Sequence, residues 1–404
     1  MGKFLYAFFF CIDLVDAKFA MLKSKFGASR LSCCIVQLES VHEEITPSFV
    51  HALNELGFHV DVYLPLQTLI NKGDIYEFMT GLNASIYYWK PEKRAKTWKA
   101  LRKTIESSGY SFCIFSTFQF PGCINFVKRL NIPIFGVVHN PIIFSDSIEK
   151  VGRDYFDKIQ LKGLFVLAGH VKDALRSRLS HLDVRFASLP VGVVKPYLWR
   201  QPHQVYAANQ KIVKNKLVIP GGVNYRNRDL MGLLDVVEAN SKISDSLCFV
   251  VAGGGADRPD FEQRVESRNL SNCFSFLPIS ELSGLVHYSD YYKAMSSSSF
   301  CLPLSLNKEY STSKITSALP TSVGFGLPAL IPADQAELYR IPSISYEESL
   351  EQGLLSLIDY PSFEFKQARW NLLSCLLDSF CFNASSVAET VSECVVSDLF
   401  ARGS

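Results

Sequence analysis

The chain has 404 residues, 48% hydrophobic and 20% charged, enough for two domains with separate cores and too apolar for long disorder. Its net charge of +2 hides an asymmetry: residues 1–200 hold 25 Lys/Arg against 17 Asp/Glu, and residues 201–404 hold 16 against 22. The basic half therefore suits an anionic partner surface. None of the 11 cysteines falls in a CxxC or Cys/His ligand spacing, so buried free thiols in a reducing cytosol are expected, among them Cys33, Cys34, Cys113, Cys248 and Cys301.

In chain order, FLYAFFFCI (4–12) comes first. Its nine residues before Asp13 are far short of the roughly 20 that span a bilayer; the segment reads as one that packs on the fold or touches a membrane. Strands are expected at LSCCIVQL (31–38), HVDVYL (59–64), SFCIFS (111–116), IPIFGVV (132–138) and GLFVLA (163–168), each too short for a helix and rich in β-branched or aromatic residues. ITPSFVHALNELG (45–57) is a helix closed by Gly57. WKPEKRAKTWKALRK (89–103) carries seven basic residues and two tryptophans, Trp89 and Trp98. It reads either as a solvated face or as a basic aromatic helix lying on an anionic membrane. No motif supports nucleic acid as a partner.

LPVGVVKPYLWRQPHQ (189–204) marks a boundary, and the scheme then repeats. Strands are expected at 216–221, 247–253, 273–278, 299–304 and 328–332, and helices at 229–240, 259–268, 288–297 and 313–323. Alternating strands and helices predict parallel sheets. The fold class is therefore α/β, with two Rossmann-like doubly wound domains facing a cleft: residues 1–195, residues 196–360, and C-terminal helices over 361–404 that pack back on the first domain. Ligands of such sheets bind beyond the carboxyl ends of the strands.

Three stretches at such ends suit phosphates. In PGGVNYRNRDLMGLL, Gly221 and Gly222 permit a tight turn, and Arg226 and Arg228 precede a helix; they read as diphosphate ligands or as solvated arginines of a turn. In FVVAGGGADRPDF the glycines 253–255 are consecutive and do not match G-x-G-x-x-G, so the loop reads as lying near a ligand. In YSTSKITSALPTSVGFGLPALI (310–331), Ser311, Thr312, Ser313 and Lys314 stand at the start of the expected 313–323 helix, either as an anion site or as an ordinary cap.

These segments, in this order, resemble the GT-B glycosyltransferases, most closely the group-4-like members, over roughly residues 31–358. GGVNYRNRDLMGLLD resembles the family's Gly-then-basic segment, FVVAGGG its next strand and turn, and SKITSALPTSVGFGLPALI its donor helix with a Gly-x-Pro turn. A second placement would make GFGLP the element before the donor helix. That placement needs ALIPADQAEL as the helix, which reads poorly as one because Pro332 follows Ile331, so GFGLP is taken as a turn and the phosphates are placed near 311–314. The resemblance implies transfer of a sugar from a nucleoside diphosphate donor to a hydroxyl acceptor, either a saccharide or a glycolipid. Arg226, Arg228, Ser311, Thr312, Ser313 and Lys314 would hold the diphosphate; Gly222, Gly254 and Ser317 would lie toward the nucleoside or sugar. His139, at the strand end of FGVVHNP, would face the donor sugar. Glu43 and Glu44 of ESVHEEI would contact the acceptor or act as base, with a helix-start charge pair as the other reading. GHVKD (169–173) is a weaker lining candidate. With no Asp-x-Asp pair, the resemblance implies no metal and no cofactor beyond the nucleotide-sugar substrate, and cytoplasmic work with peripheral membrane contact through 4–12 and 89–103. Ser317 stands where the family usually has a ribose-binding glutamate, and no acidic residue lies between Glu309 and Asp334. A sugar-nucleotide epimerase on the same fold and a catalytically degenerate binding protein are the alternatives.

Overall fold

The structure, a computed structural model, describes residues 32–78, 81–90, 94–152, 158–182, 184–197 and 215–402. Segment 4–12 lies outside them. The first half forms a seven-stranded sheet in the order β3-β2-β1-β4-β5-β6-β7: β1 Ser32–Val36, β2 His59–Pro65, β3 Ala84–Trp89, β4 Cys113–Phe115, β5 Ile134–Val137, β6 Leu161–Val166 and β7 Val191–Val193. The second half forms a six-stranded sheet in the order β10-β9-β8-β11-β12-β13: β8 Lys216–Pro220, β9 Cys248–Ala252, β10 Phe274–Phe276, β11 Phe300–Cys301, β12 Ala329–Pro332 and β13 Ser343–Tyr346. Every strand pair is parallel. In each sheet the order reverses beside the first strand, at β1/β4 and β8/β11, which opens a crevice at the strand ends.

Central strands such as β1, β4 and β5 are covered on both faces and read as continuous apolar runs. The strands absent from the sequence expectations are short or marginal. β3 and β13 are half-buried edge strands. β7 carries Gly192, where a Cβ would stand 2.3 Å from Oγ1 of Thr390.

That threonine belongs to the single helix Ser362–Arg402, where two or more C-terminal helices were expected. No Gly or Pro interrupts it. Leu372 and Leu376 pack into the second half, while Ala384, Val387, Ala388 and Val391 pack into the core of the first. Asn383 closes the junction: its Oδ1 accepts from the Lys195 N–H at 2.8 Å and its Nδ2 donates to the Lys195 carbonyl at 2.9 Å. Each buried leucine or valine of this face contributes about 1.5–3 kcal/mol, so the helix straps the halves together.

Two expectations need correction. The 89–103 segment is not one helix: Trp89 ends β3 and donates Nε1–H to the Gln37 carbonyl at 3.1 Å, and helix begins at Arg94. Trp98 packs edge-on against Phe126 at 5.5 Å. Both tryptophans thus serve packing and neither stands free toward a membrane. Cys248, expected to be buried, is exposed at the first position of β9, whereas Cys33, Cys34, Cys113 and Cys301 are buried free thiols. No helix among the described residues is long and apolar enough to cross a membrane.

Candidate functional site

A cavity of about 460 Å³ lies between the halves, at the carboxyl ends of both sheets. Its second-half wall begins with two glycine turns pressed together. A Cβ on Gly253 would stand 1.8 Å from the Gly221 carbonyl oxygen, and one on Gly254 1.8 Å from that of Gly284. Only glycine permits backbone to approach backbone this closely. Gly222 and Gly254 line the cavity as a result.

Arg228 lies beneath this turn. It is buried, donates Nε–H to the Gly222 carbonyl at 3.0 Å, and donates Nη1–H to the Pro303 carbonyl. Burial lowers its pKa from the ordinary value. Arg226 is exposed. Neither arginine is part of the cavity lining, so the structure does not bring the expected arginine pair together around a ligand.

The expected helix start at 313 needs correction. Lys308–Ser311 is a 3₁₀ turn and the helix runs only over Ala318–Gly324. Pro320 therefore falls in the first turn, where a missing N–H costs no hydrogen bond, and does not interrupt a longer helix. Ser311 and Thr312 are exposed. Ser313 is buried with its hydroxyl unpartnered among the described residues. Lys314 and Ser317 line the cavity. The Lys314 ammonium stands 2.7 Å from Oε2 of Glu309 and 4.8 Å from the centre of the Tyr310 ring. His170, from GHVKD, reaches across the halves to the Lys314 carbonyl at 3.2 Å. GFGLP is the turn into β12, with Gly326 at φ 57°.

The first-half wall is built after β1 and β5. His42 takes a left-handed conformation at φ 68°, which turns the chain so that His42 and Glu44 enter the cavity. The His42 ring stacks on His139 at 4.0 Å and 21°, and its Nδ1 stands 3.6 Å from Glu44 Oε1. His139 donates Nε2–H to the Ser116 carbonyl at 2.7 Å, leaving Nδ1 as an acceptor. Burial, reinforced by His42, pushes its pKa down to about 3, so the imidazole is neutral. Burial opposes the charge of Glu44, but His42 and Lys72 outweigh it and hold the carboxyl below its ordinary value. The site thus pairs an ionised carboxylate with a neutral histidine. Glu43 is fully buried and is not part of the cavity lining.

His42, Lys72, Gln119 and a wall of tyrosines were not singled out from the sequence. The tyrosines had a signal: Tyr288, Tyr291 and Tyr292 sit at i, i+3 and i+4 of the Tyr288–Ser297 helix, which places them on one face. Among the described residues no group of three or more His, Cys, Asp or Glu is placed to hold a metal ion.

No protein-family model and no curated protein matches the sequence. Solved structures do match along nearly the whole chain, and with its two sheets they define the fold as that of GT-B glycosyltransferases. HepE of Anabaena, solved in complex with UDP-glucose, superposes with a TM-score of 0.54 at 10% identity, covering 92% of this chain and 100% of that one. A glycosyltransferase from Rickettsia africae gives 0.52 at 14% identity, covering 93% and 100%. A Glycyrrhiza uralensis UGT complexed with glycyrrhetinic acid 3-O-monoglucuronide gives 0.51 at 10%, covering 93% and 98%.

Proposed function

We propose that the protein is a glycosyltransferase that moves a sugar from a nucleoside diphosphate sugar to a hydroxyl of a saccharide or glycolipid acceptor. The observation that carries this reading is the cavity between the two sheets. One wall offers close-packed glycine backbone and Lys314, and the other offers Glu44, His42 and neutral His139. A diphosphate fits the first wall, because exposed backbone and an ammonium can meet its charge. The UDP-glucose held by HepE, which shares this fold, supports a nucleotide sugar as the donor.

In this reading Lys314 stabilises the departing diphosphate by its charge, without a resident metal ion. Glu44, with His42 beside it, accepts the proton of the acceptor hydroxyl. His139, whose Nε2–H is engaged by the Ser116 carbonyl, orients sugar hydroxyls through Nδ1. The buried free thiols support work in a reducing compartment.

A thermal-shift screen against UDP, GDP, ADP and CMP and their sugar conjugates tests the reading. A ligand at 100 times its dissociation constant adds about 2.7 kcal/mol of stability, a clear rise in melting temperature. Absence of any shift in folded protein would overturn the nucleotide-sugar reading.

A further inference from the structure

Two amide side chains on the first-half wall are oriented by the backbone in a way that fixes what they can offer a ligand. Oε1 of Gln119 accepts from the backbone N–H of His139 at 3.0 Å and from that of Asn140 at 2.8 Å. Turning the amide over would set its NH₂ against two N–H donors, so the orientation is determined by the network. Asn140 is fixed in the same manner: its Oδ1 accepts from the Ile142 N–H at 3.0 Å and caps the Pro141–Val151 helix. Both residues line the cavity, with only 3% and 8% of their surface exposed. Their amide nitrogens make no hydrogen bond among the described residues. Two NH₂ groups, on residues more than nine-tenths buried, are therefore left for whatever fills the cavity.

We propose that Gln119 and Asn140 are specificity-determining residues that donate hydrogen bonds to oxygen atoms of the sugar carried by the nucleotide, and that this sugar is uncharged. The inference rests on the nucleotide-sugar reading above and adds to it the class of sugar. Pairs of donors select oxygen-rich groups. Beside them His139 offers only the Nδ1 lone pair, because its Nε2–H is engaged by the Ser116 carbonyl. A donor, a second donor and an acceptor side by side suit neighbouring hydroxyls, each of which both accepts and donates. A carboxylated sugar suits the wall less well, since Glu44 stands on the same side of the cavity, the Lys72 ammonium of that wall is already paired with Glu43 at 2.5 Å, and neither amide carries a charge to balance it. The apolar side chains of Ile143 and Leu167 complete this wall and suit the C–H face of a sugar ring.

The arrangement allows substitutions that alter the donors while leaving the fold its acceptors. Gln119→Glu keeps an oxygen for the two backbone N–H groups and replaces the NH₂ by a second oxygen. Asn140→Asp and Asn140→Ser keep a capping oxygen and remove the NH₂. Dissociation constants are measured by calorimetry for free UDP and GDP, for UDP-glucose and GDP-mannose, and for UDP-glucuronate, with wild type and each variant. The expected result is unchanged binding of the free nucleotide and, for the sugar conjugate wild type prefers, at least about tenfold weaker binding in Q119E and N140D. Wild type should also bind UDP-glucose more tightly than UDP-glucuronate if UDP is its nucleotide. Normal nucleotide binding with the sugar conjugate unaffected by the variants overturns this inference alone. Equal or tighter binding of UDP-glucuronate overturns its uncharged-sugar part. Failure of wild type to bind any of the nucleotides overturns the reading beneath it, and this inference with it.

Discussion

Glu43 and Tyr288 meet across the two halves of the molecule: the tyrosine hydroxyl donates to Oε1 of the carboxylate at 2.5 Å, and the same oxygen accepts from Lys72 Nζ at 2.5 Å. Glu43 is 0% exposed and its Oε2 has no partner among the described residues. One half-satisfied buried carboxylate thus ties Lys72 of the first half to Tyr288 of the second. Lys72 keeps its charge despite burial because Glu43 and Glu44 both favour it. Removing Glu43 leaves that ammonium without its closest partner, whereas removing the tyrosine hydroxyl deletes a single charged hydrogen bond. Tyr288→Phe should cost about 1.5–3 kcal/mol and Glu43→Ala about 3–5 kcal/mol. Urea unfolding measures both, and equal costs for the two would contradict the shared-oxygen geometry.

Two histidines make stability depend on pH. Burial lowers His51 to about 4 and, with His42, His139 to about 3, against the usual 6.5. Between those values and 6.5 the unfolded chain binds more protons than the folded one, so stability rises with pH across that window and falls as pH drops. Each histidine contributes a slope of up to about 1.4 kcal/mol per pH unit. Burial raises Glu55, the partner of His51 at 3.6 Å, from its ordinary value, and a raised carboxyl gives a slope of the opposite sign that partly offsets the histidine effect. Urea unfolding at pH 7, 6 and 5 should show the decline, and His51→Gln should flatten it. A flat profile in wild type would mean that these rings are not held neutral.

The doubly wound pattern was legible because central parallel strands are covered on both faces and spell unbroken apolar runs, as in Cys33–Val36 and Phe112–Phe115. The edge strand Ser343–Tyr346 was not, because its alternating serines give it the polar content of a loop; Ala84–Trp89 was missed although ASIYYW has the aromatic and β-branched residues of a strand. The site was half legible. Lys314, Ser317, Gly222, Gly254, His139 and Glu44 do line one cavity. Glu43, one residue from Glu44, turns into the protein because His42 adopts a left-handed conformation that no local pattern announces. The amide network was invisible for another reason. The partners of Gln119 lie about twenty residues away in sequence and meet it only when β4 and β5 pair.

Arg226 and Arg228 are two residues apart and should behave oppositely. Arg226 is exposed and makes no side-chain hydrogen bond among the described residues, so Arg226→Ala should stay within about 0.5 kcal/mol of wild type. Arg228 holds the Gly222 and Pro303 carbonyls from below. Arg228→Met would leave the buried Pro303 carbonyl and the part-buried Gly222 carbonyl without that donor and cost about 2–4 kcal/mol. Urea denaturation distinguishes the two. A large loss of nucleotide affinity in Arg226→Ala, with Arg228→Met indifferent in stability, would restore the arginine pair as the phosphate site.

Lys314 separates stability from binding. Its ion pair with Glu309 is partly exposed, with side-chain accessibilities of 24% and 36%, so its loss should cost at most about 1 kcal/mol of folding stability. Its charge nevertheless projects into a cavity walled on the same side by uncharged glycine backbone and tyrosines. There an ammonium meeting a diphosphate is screened less than at the open surface. Lys314→Ala should therefore weaken nucleoside diphosphate binding about ten- to a hundredfold while the melting temperature of the unliganded protein stays nearly constant. Nucleoside monophosphate, with fewer charges to lose, should be affected less. The comparison is made by calorimetry at two salt concentrations: added salt should narrow the gap between wild type and variant. If diphosphate affinity in Lys314→Ala equals that of wild type, the positive charge for the leaving group must come from elsewhere in the cleft, with Lys72 the other ammonium in the lining.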